Sequence, residues 1–211
     1  KEKKNIELTA HLDFIAPSVL KSNQNTVAIY TIDEQGFTRY VPNIVLGSIA
    51  PPDYDPREAV LYKQTIPIVN PDKNTLWSPL YLDEAGRGLM ITVTAPIYVG
   101  NVFKGVIGID VLLNSIIQTI TSYSPIEGSY AFLIDKKGET VAFPDKAYQD
   151  ILGRSREEGE VRTSLASSSL EFLAIMDKMT AGEEGFGSIH SGEKELFIAY
   201  APLKETGFSL G

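Results

Sequence analysis

The stretch 91–111, ITVTAPIYVGNVFKGVIGIDV, constrains the chain most. Two runs rich in Val, Ile, Thr and Tyr flank Gly100-Asn101, the pattern of two antiparallel strands joined by a tight turn. On a strand Val106, Gly108 and Asp110 share one face, while Ile107 and Ile109 take the other. Gly108 leaves room for something to sit against the sheet beside the carboxylate. Helical spacing begins at Val111 and predicts a helix over 111–123. Asp110 therefore has two readings. It caps that helix, worth about 1 kcal/mol, or it faces a bound cation, whose charge-assisted hydrogen bond offsets the cost of burial.

The two halves of the chain repeat one another. Ile32-Asp33-Glu34-Gln35-Gly36 matches Ile134-Asp135-Lys136-Lys137-Gly138 at an offset of 102. Ala95-Pro96-Ile97 matches Ala201-Pro202-Leu203 at 106, and Phe103 matches Phe208 at 105. Such order predicts an α+β chain of two tandem modules, each an antiparallel sheet flanked by helices. The second copy stops before any equivalent of Asp110.

In chain order, Leu8, Leu12, Ile15 and Val19 form a helical stripe, with Pro17 expected to kink or shorten the helix. The stripe packs on its own domain, or it is the end of a long helix that arrives from a membrane or pairs with a second copy of the chain as a homodimer, and both can hold. Strands are expected at 27–33 and 37–41. A helix over 57–65 has Asp55 as its cap and Pro56 at its first position. Residues 77–82 are extended, with Trp77, Pro79 and Tyr81 on one face, and 83–88 turn. After a boundary near 124–128 come strands at 130–135 and 139–143, a loop to about 164, a helix over 165–180, and three further strands. The expected domains are 1–26 (long N-terminal helix), 27–124 and 125–211.

Composition narrows the chemistry. A net charge of −8 and a pI of about 4.8 repel phosphate backbones, so no nucleic acid is expected. No cysteine is present, and His11 and His190 stand without motifs. No metal, cofactor or catalytic residue is therefore expected. The alternative of a hydrolase using Asp110 with Asp83 lacks a nucleophile. No apolar run approaches the roughly 18–20 residues of a membrane span. The start at Lys1 and the strand-like end read as a fragment of a longer protein.

Tyr54-Asp55-Pro56-Arg57 followed by Tyr62, then Trp77, Tyr81-x-Asp83, ITVTAPIY and FKGVIGIDV, resemble a double Cache domain. These are tandem PAS-like modules of bacterial and archaeal membrane sensors. The resemblance implies an extracytoplasmic, membrane-anchored, non-enzymatic ligand sensor, with the ligand in the first module. It implies output through a histidine kinase of a two-component system, with a chemoreceptor, cyclase or phosphatase, or a structural module without ligand, as alternatives. In the amino-acid-binding branch, positions matching Tyr54, Tyr81, Asp83 and Asp110 hold the ligand's ammonium. Tyr62 belongs to the same motif, and Trp77 offers an aromatic wall for a cation. That branch also places an Arg and a Trp, for the ligand's carboxylate, where this chain has Ala59 and Leu61. The departure implies an amine-bearing ligand without an α-carboxylate. Arg57 is expected in a structural ion pair with Asp55 or Asp53.

Overall fold

Alternating burial along 106–111, paired with a strand buried on both faces over 89–92, sets the architecture of the first half. A computed structural model describes residues 9–83 and 88–211, and Leu8 lies outside them. The chain divides into two units, Lys1–Leu113 and Asn114–Gly211. The sequence reading draws this line later, after residue 124.

The first unit contains α1 (Leu12–Ser22), β1 (Thr26–Asp33), β2 (Thr38–Val41), α2 (Leu46–Ile49), a 3-10 turn (Pro56–Glu58) and α3 (Val60–Thr65). It continues through β3 (Leu76–Trp77), β4 (Tyr81–Leu82), β5 (Leu89–Val99) and β6 (Val102–Leu112). Its sheet runs β2-β1-β6-β5-β3, with β4 also paired to β5. Gly100 turns the β5–β6 hairpin at φ +60°, as its sequence demands.

Three expectations change here. Strand β6 extends to Leu112, which pairs with Met90 and whose amide donates to Asn25 O at 2.8 Å. The following helix starts only at Asn114, so Asp110 lies inside the ladder and caps nothing. Helix α1 runs through Pro17 without ending. Its inward line is Ala16, 1% exposed, with the half-buried Leu12 and Leu20 one turn away on either side. Ile15 is 62% exposed and Phe14 80%, because a 3.6-residue period puts Ile15 and Val19 off the line that meets the sheet. The helix expected at 57–65 is broken at Ala59, whose ψ of 139° is extended, although Asp55 does cap its first turn.

The second unit contains α4 (Asn114–Ser122), β7 (Leu133–Ile134), β8 (Thr140–Ala142), α5 (Asp145–Leu152), a 3-10 turn (Leu165–Ser167) and α6 (Leu170–Thr180). Strands β9 (Gly185–Ser191), β10 (Lys194–Leu203) and β11 (Phe208–Leu210) follow, in a sheet ordered β8-β7-β11-β10-β9. Both sheets thus place their second strand outermost, their first next, and their last strand in the centre. The repeated turn is reproduced atom for atom. Asp33 Oδ1 accepts from the amides of Gln35 and Phe37, both at 2.8 Å. Asp135 Oδ1 accepts from Lys137 at 2.8 Å and Glu139 at 3.0 Å. The Ala-Pro-Ile/Leu matches lie on equivalent strands but one residue out of register. Tyr98 faces Phe103 in the first unit, whereas Leu203 faces Phe208 in the second.

Phe132, Ile134, Tyr148, Leu165, Phe172 and Ile189 build the second core. Ser169 caps α6 by accepting from the Phe172 amide at 3.2 Å. Helix α5 occupies part of the segment expected to be loop. Ala147, Tyr148 and Ile151 bury its inner face, and Gly153 closes it at φ +66°, a helix-ending signal.

Glu160, in the loop that follows α5, is clamped. Arg154 reaches it at 2.6 and 3.0 Å, the Thr163 hydroxyl donates to it, and the Glu157 amide does so at 2.9 Å. The Arg154 guanidinium first, then these donors, hold its carboxyl down from 4.5 to about 2. A depressed carboxyl contributes stability above its unfolded value and loses it as pH falls through the folded one. The second unit should therefore weaken between about pH 4.5 and 2. Glu160→Gln should remove this part of the acid loss, read by urea denaturation across that range. An unchanged pH profile would refute the clamp.

Candidate functional site

Register decides which side chains meet Asp110. It pairs with Ala28 on β1 and Thr92 on β5, so all three point to one face. Tyr30 on β1, Gly108 on β6 and Thr94 on β5 share that face two residues along, and Tyr40 joins them opposite Tyr30. Asp110 is 5% exposed. Tyr40 donates its hydroxyl to Asp110 Oδ2 at 2.8 Å. Thr92 Oγ1 donates to Oδ1 at 2.8 Å. The Tyr81 hydroxyl shares a 2.7 Å bond with Thr92 and stands 3.5 Å from Oδ1. Helix α3 closes the face, with Thr65 and Thr94 hydroxyls 2.7 Å apart and Tyr62 packed beside Tyr30 and Val106.

Gly108 makes space, but Tyr30 fills it. A Cβ at Gly108 would stand 2.5 Å from Tyr30 Cζ. That ring stacks on Tyr40 with centroids 4.9 Å apart and planes 3° from parallel. The floor beside the carboxylate is thus two tyrosines thick. Burial pushes the Tyr81 phenol up to about 12, helped by the charges of Asp110 and Asp83 and opposed by its bond to Thr92. Burial, then Asp110, raises Tyr30 in the same sense. Both phenols therefore stay protonated at neutral pH.

A carboxylate has room for about four donors, and the hydroxyls do not neutralise its charge. Among the described residues, the ion pairs made by Lys and Arg go to other carboxylates. A buried anion held only by neutral hydroxyls is suited to receive a small cation that carries N–H donors.

The predicted residues are distributed unequally around this point. Tyr81 and Asp110 meet. Asp83 lies at the end of β4, its amide bonded to Gly88 O at 2.9 Å, close enough for its charge to raise Tyr81. The rest of that turn, 84–87, lies outside the described residues. Tyr62 is buried against Phe103, edge to face at 6.4 Å, as an apolar wall. Tyr54 is 48% exposed in the preceding loop and contributes no hydrogen bond to Asp110. Trp77 pairs with Val93, which faces away from Asp110, so Trp77 and Tyr81 do not share a face. The reason is local. Ser78-Pro79 interrupts the strand, with the Ser78 amide donating to Thr92 O at 2.8 Å and the Thr92 amide to Ser78 Oγ at 2.9 Å. Arg57 is bound to Asp55 at 2.6 and 2.9 Å, the expected structural pair. Leu61 packs against the core near Tyr30 and Tyr62, leaving an apolar contact there.

Sequence reasoning missed Tyr30, Tyr40, Thr92 and Thr94. The alternation Thr92-Val-Thr94 opposite a strand-end Asp was a usable signal for two of them. Elsewhere, a cavity of about 440 Å³ in the second unit is lined by Tyr130, Phe132, Lys146, Ile198 and Tyr200 among others. It has no carboxylate in its wall and lies beside the last residues of β11. Among the described residues no helix is long and apolar enough to cross a membrane.

Two modules of one strand order, the first holding a buried carboxylate under a hydroxyl cluster, define a tandem PAS-like sensor. Residues 3–118 match the family described as methyl-accepting chemotaxis protein-like, first PDC sensor domain. The chain belongs to this family and is an extracytoplasmic double Cache ligand-sensing domain of a membrane receptor, a binding rather than a catalytic domain. Methyl-accepting chemotaxis protein PscA of Pseudomonas syringae pv. tomato is 32% identical over 171 residues, covering 80% of this chain and 23% of PscA. The chain thus spans about a quarter of that relative. In fold it is similar to the ligand-binding domain of the Pseudomonas aeruginosa PAO1 chemoreceptor PctC in complex with GABA. There the TM-score is 0.59 at 15% identity, over 89% of this chain and 74% of that one. It is also similar to the extracellular domain of mmHK1S-Z2, described as a histidine kinase. That TM-score is 0.64 at 16% identity, over 92% and 76% of the two chains.

Proposed function

We propose that this domain senses a small primary amine, held by Asp110 in the first unit, for a transmembrane chemoreceptor. The observation that carries the reading is Asp110 itself. It is buried, surrounded by hydroxyls, and without a basic partner among the described residues. Ala59 and the packed Leu61 supply no positive charge for an α-carboxylate. The GABA bound by PctC, with its amine remote from its carboxylate, is the kind of ligand such a half-site suits. The family and PscA favour chemotactic output. A histidine kinase output is the second reading, favoured by the likeness to mmHK1S-Z2. The exposed Phe14 and Ile15 on α1 suit pairing with a second copy.

A thermal-shift panel of GABA, 1,4-diaminobutane and common α-amino acids tests the ligand class. Ligand at 100 times its Kd stabilises by about 2.7 kcal/mol, equivalent to several degrees in a chain of this size. The amines should shift the melt and Asp110→Ala should abolish the shift. A shift by α-amino acids alone would sink the amine reading.

A further inference from the structure

We infer that strand β2 couples the Asp110 site to helix α1, with Tyr40 reading the carboxylate and Arg39 holding the helix. The functional meaning of this coupling rests on Asp110 being the ligand group. Consecutive residues of a strand point to opposite faces. Tyr40 points inward and gives its hydroxyl to Asp110 Oδ2 at 2.8 Å. Arg39 points outward, with Nη1 2.6 Å from Asp13 Oδ2 in the first turn of α1. Its Nε donates to Thr9 Oγ1 at 3.0 Å. The Arg39 side chain is 18% exposed and that of Asp13 50%, so the pair is shielded on the arginine side only.

Three features make β2 the element that responds. It is an edge strand whose ladder is made with β1, through Ile29↔Val41 to Ile32↔Thr38. Tyr40 is one of the donors an incoming ammonium must displace or share, because it occupies Oδ2 directly. Its ring cannot swing away independently, since it is stacked on Tyr30, and Tyr30 is lodged against Gly108. Relief therefore comes through the short backbone of β2, and Arg39 moves with it. The same geometry sets specificity. A ligand that takes over from the Tyr40 hydroxyl has to bring an N–H donor to Oδ2, which a trimethylated ammonium lacks.

The test compares amide hydrogen exchange over 14–20 of α1 in the unliganded chain and three variants. Tyr40→Phe keeps the ring stack and removes the bond to Asp110. It should speed exchange in α1 several-fold, as Arg39→Gln does directly. Thr92→Val removes the other donor to Asp110 from β5 and should leave α1 unchanged. Coupling through β2 is overturned if Tyr40→Phe leaves α1 unchanged while Arg39→Gln speeds it. It is equally overturned if Thr92→Val acts as strongly as Tyr40→Phe, since loss of any donor would then do. Failure of amine binding appears separately, in the thermal shift with GABA and its trimethylated analogue. GABA alone should stabilise the chain, and equal stabilisation by the analogue overturns the role of Tyr40 in specificity.

Discussion

Asp110→Asn should fold, keep most of its stability, and bind a primary amine roughly 10- to 150-fold more weakly. The magnitude is that of one hydrogen bond to a charged group, about 1.5–3 kcal/mol. The choice of Asn matters. Its Oδ1 still accepts from one of the hydroxyls that now reach Asp110 from Tyr40 and Thr92. Its Nδ2 becomes a donor, and either hydroxyl can rotate to accept from it. Folding therefore loses little, while the charge that selects an ammonium is gone. Asp110→Ala removes the charge as well but strands two buried hydroxyls, costing about 1–3 kcal/mol each, so weakened binding there mixes two causes. Titration calorimetry with the amine that gives the largest thermal shift, beside urea denaturation, separates them. Unchanged affinity in Asp110→Asn would mean that the carboxylate is a structural acceptor for Tyr40 and Thr92 and nothing more.

What the sequence exposes and what it hides follow from the range of the interactions. The strands around Ile29 and Ile107, the Gly100 hairpin and the twin turns at Asp33 and Asp135 are local events, written in alternation and turn chemistry. They are legible, and so is the repeat they build. Asp110 is legible as a special residue, but not as a strand residue. Val111 and Leu112 have helical spacing, and only pairing with Thr26, Ile91 and Met90 keeps them extended. The face of Trp77 is misjudged because alternation was carried across Ser78-Pro79, where the ladder breaks. Gly108 shows that a small residue beside a candidate site announces close approach without saying what approaches. The partner is Tyr30, brought in by the β1–β6 register. Tyr40 depends on the same long-range pairing and has no local mark at all. Fold class is thus a sum of short-range signals, whereas the site is a product of register.

Gly105 is where that register is set, and Gly105→Ala should destabilise the first unit by about 3 kcal/mol or more, combining backbone strain with overpacking. Its φ is +142°. A Cβ there would stand 2.2 Å from Ile32 O and 2.8 Å from Asp33 Cα, and backbone cannot rotate aside as a side chain can. The position follows a bulge, since Tyr98 faces Phe103 but Ile97 faces Gly105, leaving Lys104 unmatched. Beyond that bulge the pairing runs unbroken on the β5 side to Thr92↔Asp110, so an error at Gly105 propagates to the carboxylate. Gly100→Ala is the control, with φ +60° and nothing within 4 Å of its Cβ. It should cost only the conformational penalty, about 1–2 kcal/mol. Calorimetry of both variants reads the difference, with hydrogen exchange of β1 assigning it to the first unit. If the two glycines cost the same, positive φ alone explains both, and close backbone contact at Gly105 plays no part in setting the register.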